Sequence, residues 1–313
     1  MTQKPDLVVV GFSGELKLLK LQARSLRLFA PDAFNKIHYV INEENTQPFV
    51  RYYENEIRPE LGSLADRACL LEGRLVAGMP LRRMDWRSQQ SLKLLASRHV
   101  EAENFLILDS KNHFVRTVIA ETFVTPGGCL YTHRYEFNES FRPKFDNACK
   151  YFDVDHVPDD LLAMPTATPF MMSTRVARDL VADVEAREGV PFHGFFTSTK
   201  DFTEFYFYFA YLLSKPCLLD QLYETRERPQ VTLFRSVATE PDKVQSLLKV
   251  LDREAVYLFG VHREVLKAAN PDIAAMIRET WRRFGLVEDE QEAVYFLTPD
   301  RVPARRKWWQ FWR

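Results

Sequence analysis

The sequence lacks most of the features that assign a protein to a functional class at sight. Its four cysteines, Cys69, Cys129, Cys149 and Cys217, are scattered, and no two stand at CxxC spacing. That argues against a zinc ribbon or a thioredoxin-type motif and suits a reducing compartment. No apolar run reaches the roughly 18 residues that a membrane span needs, and Leu7-Val8-Val9-Val10 is too short for the apolar segment of a secretory leader. The expectation is a cytoplasmic protein. An excess of charge is also missing. The 42 Lys and Arg balance 43 Asp and Glu to a net −1, which leaves no electrostatic footprint for nucleic acid. Neither GxxxxGK[ST], GxSxG nor HExxH occurs. A P-loop NTPase, a nucleophile-elbow hydrolase and a zincin are therefore excluded. Gly11-Phe12-Ser13-Gly14 is too short for a dinucleotide fingerprint, and no acid closes the next strand, so a dehydrogenase is disfavoured. No internal repeat or low-complexity linker divides the chain.

What is present reads as α/β. At 313 residues and 46% hydrophobic, the chain can bury a sizeable core without staples. Leu7 to Val10 reads as a strand, followed by an amphipathic helix with Leu16, Leu19 and Leu26 on its apolar positions. A second strand follows at Ile37 to Asn42. Strand, helix, strand over about 35 residues is the signature of a parallel sheet, which binds ligands beyond the carboxyl ends of its strands. Residues 48–84 mix helical stretches with turns. A helix is expected over Ser88 to Val100, then a buried strand over Asn104 to Asp109. Pro165 to Pro169 reads as loop and Phe170-Met171-Met172 as a short buried run. Ser173 is placed to cap a helix that runs to about Glu188 and ends at Gly189. Further helices are expected over Thr203–Leu213 and Pro271–Phe284, with a late strand at Ala255–Phe259.

Two stretches carry candidate chemistry. In Leu106-Ile107-Leu108-Asp109-Ser110-Lys111-Asn112 an apolar strand ends in a carboxylate at the ligand-facing edge of the sheet. Such a carboxylate can hold a divalent cation that neutralises a diphosphate leaving group, and hard oxygen ligands suit Mg²⁺ or Mn²⁺. The plain alternative is that Asp109 ends a turn. Upstream, Trp86-Arg87-Ser88-Gln89-Gln90-Ser91-Leu92-Lys93 offers Arg87, Gln89, Gln90 and Lys93 on or near one polar helix face. A Lys or Arg there can bind phosphate, or the face is simply solvated.

The run Trp86-x-x-Gln89-Gln90-x-Leu92-Lys93-Leu94, about a dozen residues ahead of Phe105-Leu106-Ile107-Leu108-Asp109-Ser110, resembles a bacterial domain-of-unknown-function family related to GT-A glycosyltransferases. The resemblance implies a mixed, mostly parallel central sheet flanked by helices, forming one GT-A-like domain over 1–300. A nucleotide-binding half would cover about 1–125 and an acceptor half about 126–300. It implies a nucleoside diphosphate sugar as donor, bound by Gly11, Ser13, Gln89, Gln90, Lys93, Ser110, Lys111 and Asn112. A glycan of the envelope or capsule, or a lipid-linked one, would be the acceptor. Glu204 matches the family's carboxylate ahead of a run of aromatics and would deprotonate the acceptor hydroxyl. Asp201 is the fallback, one turn earlier on the same helix. His262, just past a strand, would join Asp109 as a metal ligand for Mn²⁺ or Mg²⁺.

The sequence departs from the resembling pattern in one place. The family's strand ends Asp-Ser-Asp, and here the second acid is Lys111. Either the Lys111 ammonium takes over part of the cation's role, or transfer activity is lost and a non-catalytic nucleotide-sugar or glycan-binding protein remains. The last residues, 301–313, form a basic aromatic tail with three of the five tryptophans in its final six positions. Such a composition suits an anionic membrane surface, so a peripheral contact at the inner membrane face is expected from it.

Overall fold

The computed structural model describes residues 3–81 and 84–300. The tail, and with it the membrane-contact expectation, lies outside the described residues. No helix among the described residues is long and apolar enough to cross a membrane.

Ten strands occur among the described residues: β1 (Asp6–Gly11), β2 (Ile37–Ile41), β3 (Ala68–Glu72), β4 (Asn104–Leu108), β5 (Asn112–Phe114), β6 (Leu130–Thr132), β7 (Phe170–Ser173), β8 (Tyr223–Thr225), β9 (Gln230–Leu233) and β10 (Leu258–Val261). The main sheet has the order β3-β2-β1-β4-β7. Its first four strands run parallel, and β7 runs antiparallel to β4. β1, β2 and four of the five residues of β4 are buried on both faces, as near-continuous Val, Ile and Leu runs should be in a parallel sheet. Helices Leu16–Phe29, Trp86–Leu95 and Thr174–Glu188 flank it. The expected mixed, mostly parallel α/β architecture is the observed one.

A second sheet, β5-β10-β9, begins where β4 ends. β10 pairs antiparallel with β5 and parallel with β9. Its core, around Leu233, Phe259, Val261 and the fully buried Trp281, is separate from the main core and packs the C-terminal helices Pro271–Arg283 and Glu290–Leu297. Gly260 makes the close approach of these strands possible. A Cβ there would lie 2.8 Å from Thr232 Oγ1 and 3.2 Å from Asn112 Nδ2.

Several local expectations shift. The helix expected over Ser88–Val100 starts at Trp86, because Asp85 accepts from the Arg87 and Ser88 amides and Ser88 returns a bond to Asp85. It ends at Leu95 and tightens into a 3₁₀ turn over Ala96–Arg98. Strand β3 was hidden in the mixed 48–84 region. The late strand sits three residues further on than Ala255. Gly189 does end its helix in the left-handed region, at φ 66°. Ser173, however, makes no side-chain cap. It closes β7, and its N–H donates to the Tyr208 hydroxyl at 3.1 Å. The helix expected from Thr203 runs Glu204–Leu213. It is apolar on every side and accordingly buried all round, with Phe205 stacked on Phe170 at 4.3 Å between centroids.

Candidate functional site

The carboxyl ends of β1, β2 and β4 share one edge because the strands are parallel. At that edge β4 gives way to a tight turn, Asp109–Lys111, that leads into β5. The turn is held from several sides. The Asn112 N–H donates to the Asp109 carbonyl at 3.0 Å, and the Asp109 N–H donates to Asn112 Oδ1 at 3.2 Å. Buried Gln22, from the first helix, donates to the carbonyls of Asp109 and Asn112 at 2.8 and 2.9 Å. The Thr168 hydroxyl lies 3.0 Å from Asp109 Oδ2 and 2.7 Å from Asn112 Oδ1 and donates to one of them. The acid is thus fixed by backbone and neighbours before any ligand arrives.

Its side chain opens into a cleft of about 820 Å³, within the range of small-ligand sites. Lys93 Nζ sits 2.8 Å from Asp109 Oδ1 and 3.0 Å from Glu204 Oε1, bridging the two acids. Lys111 Nζ pairs with Asp109 Oδ2. Burial alone would raise the Asp109 pKa, but the Lys111 and Lys93 ammoniums outweigh it and hold the carboxyl well below the ordinary range. Burial alone would likewise lower that of Lys93, and Asp109 with Glu204 reverses this. Glu204 opens the aromatic helix, where the helix dipole favours a negative charge, and only 4% of it is exposed.

Gln89, Gln90, Ser110 and His262 also line the cleft. Gln90 is the more informative of the two glutamines. Its Oε1 accepts from Arg87 at 3.0 Å, while its buried Nε2 has no partner among the described residues. Thr203 Oγ1 and Gln230 Oε1, also at the cleft, are buried and unpartnered in the same way. Fourteen such atoms occur among the described residues, and the three at this cleft are placed to pair with the hydroxyl groups of a ligand.

Five of the expected contacts fall elsewhere. Gly11 does not line the cleft. It is packed where a Cβ would meet Leu19 Cδ1 at 2.8 Å, so its value is close packing of strand on helix. Ser13 gives its N–H and hydroxyl to Glu43, at 2.9 and 2.5 Å. Asn112 lies behind Asp109 and orients it. Asp201 is not on the Glu204 helix at all. It sits in the exposed bend before it and accepts from the Thr199 hydroxyl at 2.6 Å. Arg87, read as a phosphate partner, is turned inward and donates to the carbonyls of Phe196 and Phe202.

A divalent cation does not fit the donor set. Both Asp109 oxygens are engaged by ammonium groups. A dication about 4 Å from one ammonium is repelled by on the order of 8 kcal/mol at an effective dielectric of about 20, and here there are two. His262 Nδ1 accepts from the Glu264 N–H at 3.3 Å. Burial, then Lys111 and Arg263, lowers its pKa to about 4, so the ring is neutral near pH 7. A neutral imidazole that accepts at Nδ1 carries its proton on Nε2 and has no free lone pair for a metal. Asp109 and His262 are therefore corrected from metal ligands to a paired carboxylate and a hydrogen-bond donor. Among the described residues, no group of three or more His, Cys, Asp or Glu is gathered as a metal would need.

Sequence reasoning missed several cleft residues. Glu15 accepts from the Ser110 hydroxyl at 2.5 Å, and its pKa is raised by burial. Thr203 was passed over for Glu204. Arg228 and Gln230 reach the cleft from an extended segment whose Arg226, Glu227 and Pro229 face a second cavity of about 610 Å³. His133 borders both cavities. The alternation along 227–230 is the period of extended chain, but nothing in its composition marks it as a wall between two spaces.

The chain belongs to the family of unknown function DUF6492, whose model matches residues 12–280. No protein with a curated description matches it in sequence. Among solved structures it is similar to the galactosyltransferase LgtC in complex with donor and acceptor sugar analogues. The TM-score is 0.51 at 12% identity, with 96% of this chain and 98% of LgtC covered. An active-site mutant of LgtC gives 0.52 and 13% over the same shares. The glycosyltransferase GlyE of Streptococcus pneumoniae TIGR4 gives 0.45 and 14%, over 96% of this chain and 66% of GlyE. The LgtC likeness shows that the fold is that of the GT-A glycosyltransferases.

Proposed function

We propose that the protein transfers a sugar from a nucleoside diphosphate sugar to a hydroxyl of a glycan acceptor. The observation that carries this reading is the acid at the end of β4, linked through one buried lysine to a second acid across a cleft of about 820 Å³. In the reaction, the acceptor oxygen forms a bond to the anomeric carbon. The bond from that carbon to phosphate breaks, and its electron pair leaves on the diphosphate. In a transfer with inversion Glu204 takes the acceptor proton. Its Oε1 is occupied by Lys93, and Oε2 accepts no hydrogen bond from a described residue, which leaves that oxygen for the proton. Gln90 Nε2, Thr203 Oγ1 and Gln230 Oε1 supply partners for sugar hydroxyls. An envelope, capsule or lipid-linked acceptor at the inner membrane face rests on the tail alone.

The test is release of nucleoside diphosphate from a panel of UDP, GDP and CDP sugars. Asp109→Asn is expected to abolish turnover, and wild-type-like turnover in that variant removes Asp109 from the mechanism. The second reading is a non-catalytic nucleotide-sugar or glycan-binding protein, favoured by Lys111 in place of a second acid. Calorimetric binding of a donor that is neither hydrolysed nor transferred decides for it.

A further inference from the structure

Two of the three positions from which the resembling family would offer a lone pair to a cation, 111 and 262, offer a proton here. Lys111 stands two residues after Asp109 and turns its ammonium back onto Asp109 Oδ2. Lys93 Nζ covers the other oxygen at 2.8 Å. His262 gives Nδ1 to the Glu264 amide and keeps its proton on Nε2. All three line the cleft with Arg228, so four donors face one space. Lys93 and Lys111 are 7% and 10% exposed at the side chain. The ring centroids of Phe205 and Phe234 lie 5.1 and 5.9 Å from their respective ammoniums. The acids are the counterweight. Asp109 and Glu204 hold the two lysines in place while the cleft is empty of anions. An arriving diphosphate then meets ammoniums that are already desolvated and oriented, which is where charge-assisted bonds are strongest.

We propose that this cleft binds the diphosphate of its donor without a divalent cation, through Lys93, Lys111 and the His262 Nε2–H, with Asp109 acting as the clamp that positions the two lysines. The proposal rests on the nucleotide-sugar reading of the cleft and specifies its electrostatics. Lys111 and Lys93 stabilise the negative charge that develops on the leaving phosphate, and no metal takes part in the step.

The experiment is calorimetric titration of the full chain with UDP, GDP and CDP, each in EDTA and in Mn²⁺. At least one nucleotide is expected to bind in EDTA with a Kd within about threefold of its value in Mn²⁺. A Kd more than about tenfold tighter in Mn²⁺ overturns the proposal and leaves the nucleotide reading intact. No binding of any nucleotide under either condition removes the nucleotide reading and the proposal together. The converse variant is Lys111→Asp, which puts a second carboxylate two residues after the first. It is expected to lose binding in EDTA by about tenfold to a hundredfold, the worth of a charged hydrogen bond. Its thermal transition, measured alongside, shows that the fold is kept. Unchanged binding by a folded Lys111→Asp in EDTA overturns the role of Lys111. Paramagnetic resonance of Mn²⁺ adds a readout independent of turnover: adding the wild type to a nucleotide–Mn²⁺ mixture is expected to leave the signal as the nucleotide alone sets it, and a further loss of free-ion signal overturns the proposal.

Discussion

The two ends of the main sheet each bury a cluster of charged groups, and they differ in how completely the cluster is satisfied. At the amino end, Asp6 is wholly buried. It accepts from Asn35 at 3.0 Å, the Lys36 amide at 3.1 Å, His38 Nε2 at 3.0 Å and the Glu101 amide at 3.2 Å. His38 Nδ1 in turn lies 3.2 Å from Cys69 Sγ, so the chain of contacts crosses β1, β2 and β3. These residues line neither cavity. At the carboxyl end, Asp109 is also paired, but the space beside it is open and three buried polar atoms there lack partners among the described residues. A saturated network ties strands together. An unsaturated one of the same size is held ready for something that arrives from outside, and its lysines are the groups with bonding capacity to spare.

That contrast can be broken from either end. The largest effect is expected at the open end. Glu204→Gln should lower kcat by about a hundredfold to ten-thousandfold while donor affinity, read by calorimetry, changes little. Equal loss of both would make Glu204 a binding group. At the closed end, Asp6→Asn should cost about 3 kcal/mol in denaturant unfolding, because an NH2 group replaces the oxygen that accepts from His38 and the Glu101 amide. It should not alter donor turnover below the melting transition, and a selective loss of turnover would deny that the two clusters are separate.

The pH dependence sharpens the same comparison. Burial opposes the charge on His38, but Asp6 and Cys69 raise its pKa to about 9, against an ordinary 6.5. Its contribution to stability, up to about 3 kcal/mol, is complete below pH 6.5 and is lost as pH rises through 9. Burial pushes His113, His133 and His262 the other way, to about 4. They remain neutral in the fold, so stability drains as pH falls from 6.5 toward 4. A stability maximum near neutrality is expected from unfolding curves across pH, and Asp6→Asn should flatten the alkaline side while the loss between pH 6.5 and 4 remains. Loss of the acid side in that variant would contradict the assignment.

Much of this was legible in sequence, and the exceptions have physical reasons. β1, β2 and β4 announce themselves because strands buried on both faces need unbroken apolar runs. β3 does not, since Ala68-Cys69-Leu70-Leu71-Glu72 is half-buried at a sheet edge and holds no β-branched residue. The acid at the end of β4 was visible as an abrupt polarity change, but its ion pairs were not, because Lys93 comes from a helix and Glu204 from a segment more than ninety residues on. Reading His262 as a ligand failed on a tautomer, which a neighbouring amide sets and no spacing encodes. Asp201 failed on a boundary: the chain is still extended at Thr203, so a residue two places before it cannot share the helix. Ser173 failed because the strand claimed its backbone before the helix could use its side chain.

Gly260 carries a consequence for which positions in this protein tolerate change. It touches neither acid nor cleft, yet its bare α-carbon lets the Asn112 amide rest 3.2 Å from where a methyl would begin. That same amide receives the Asp109 N–H. Adding one carbon on the second sheet would therefore be transmitted, through a single rigid side chain, to the direction in which the acid points. Sensitivity to substitution here follows the clearance between strands as much as proximity to substrate, and a search for inactive variants that screened only the cleft would overlook this site.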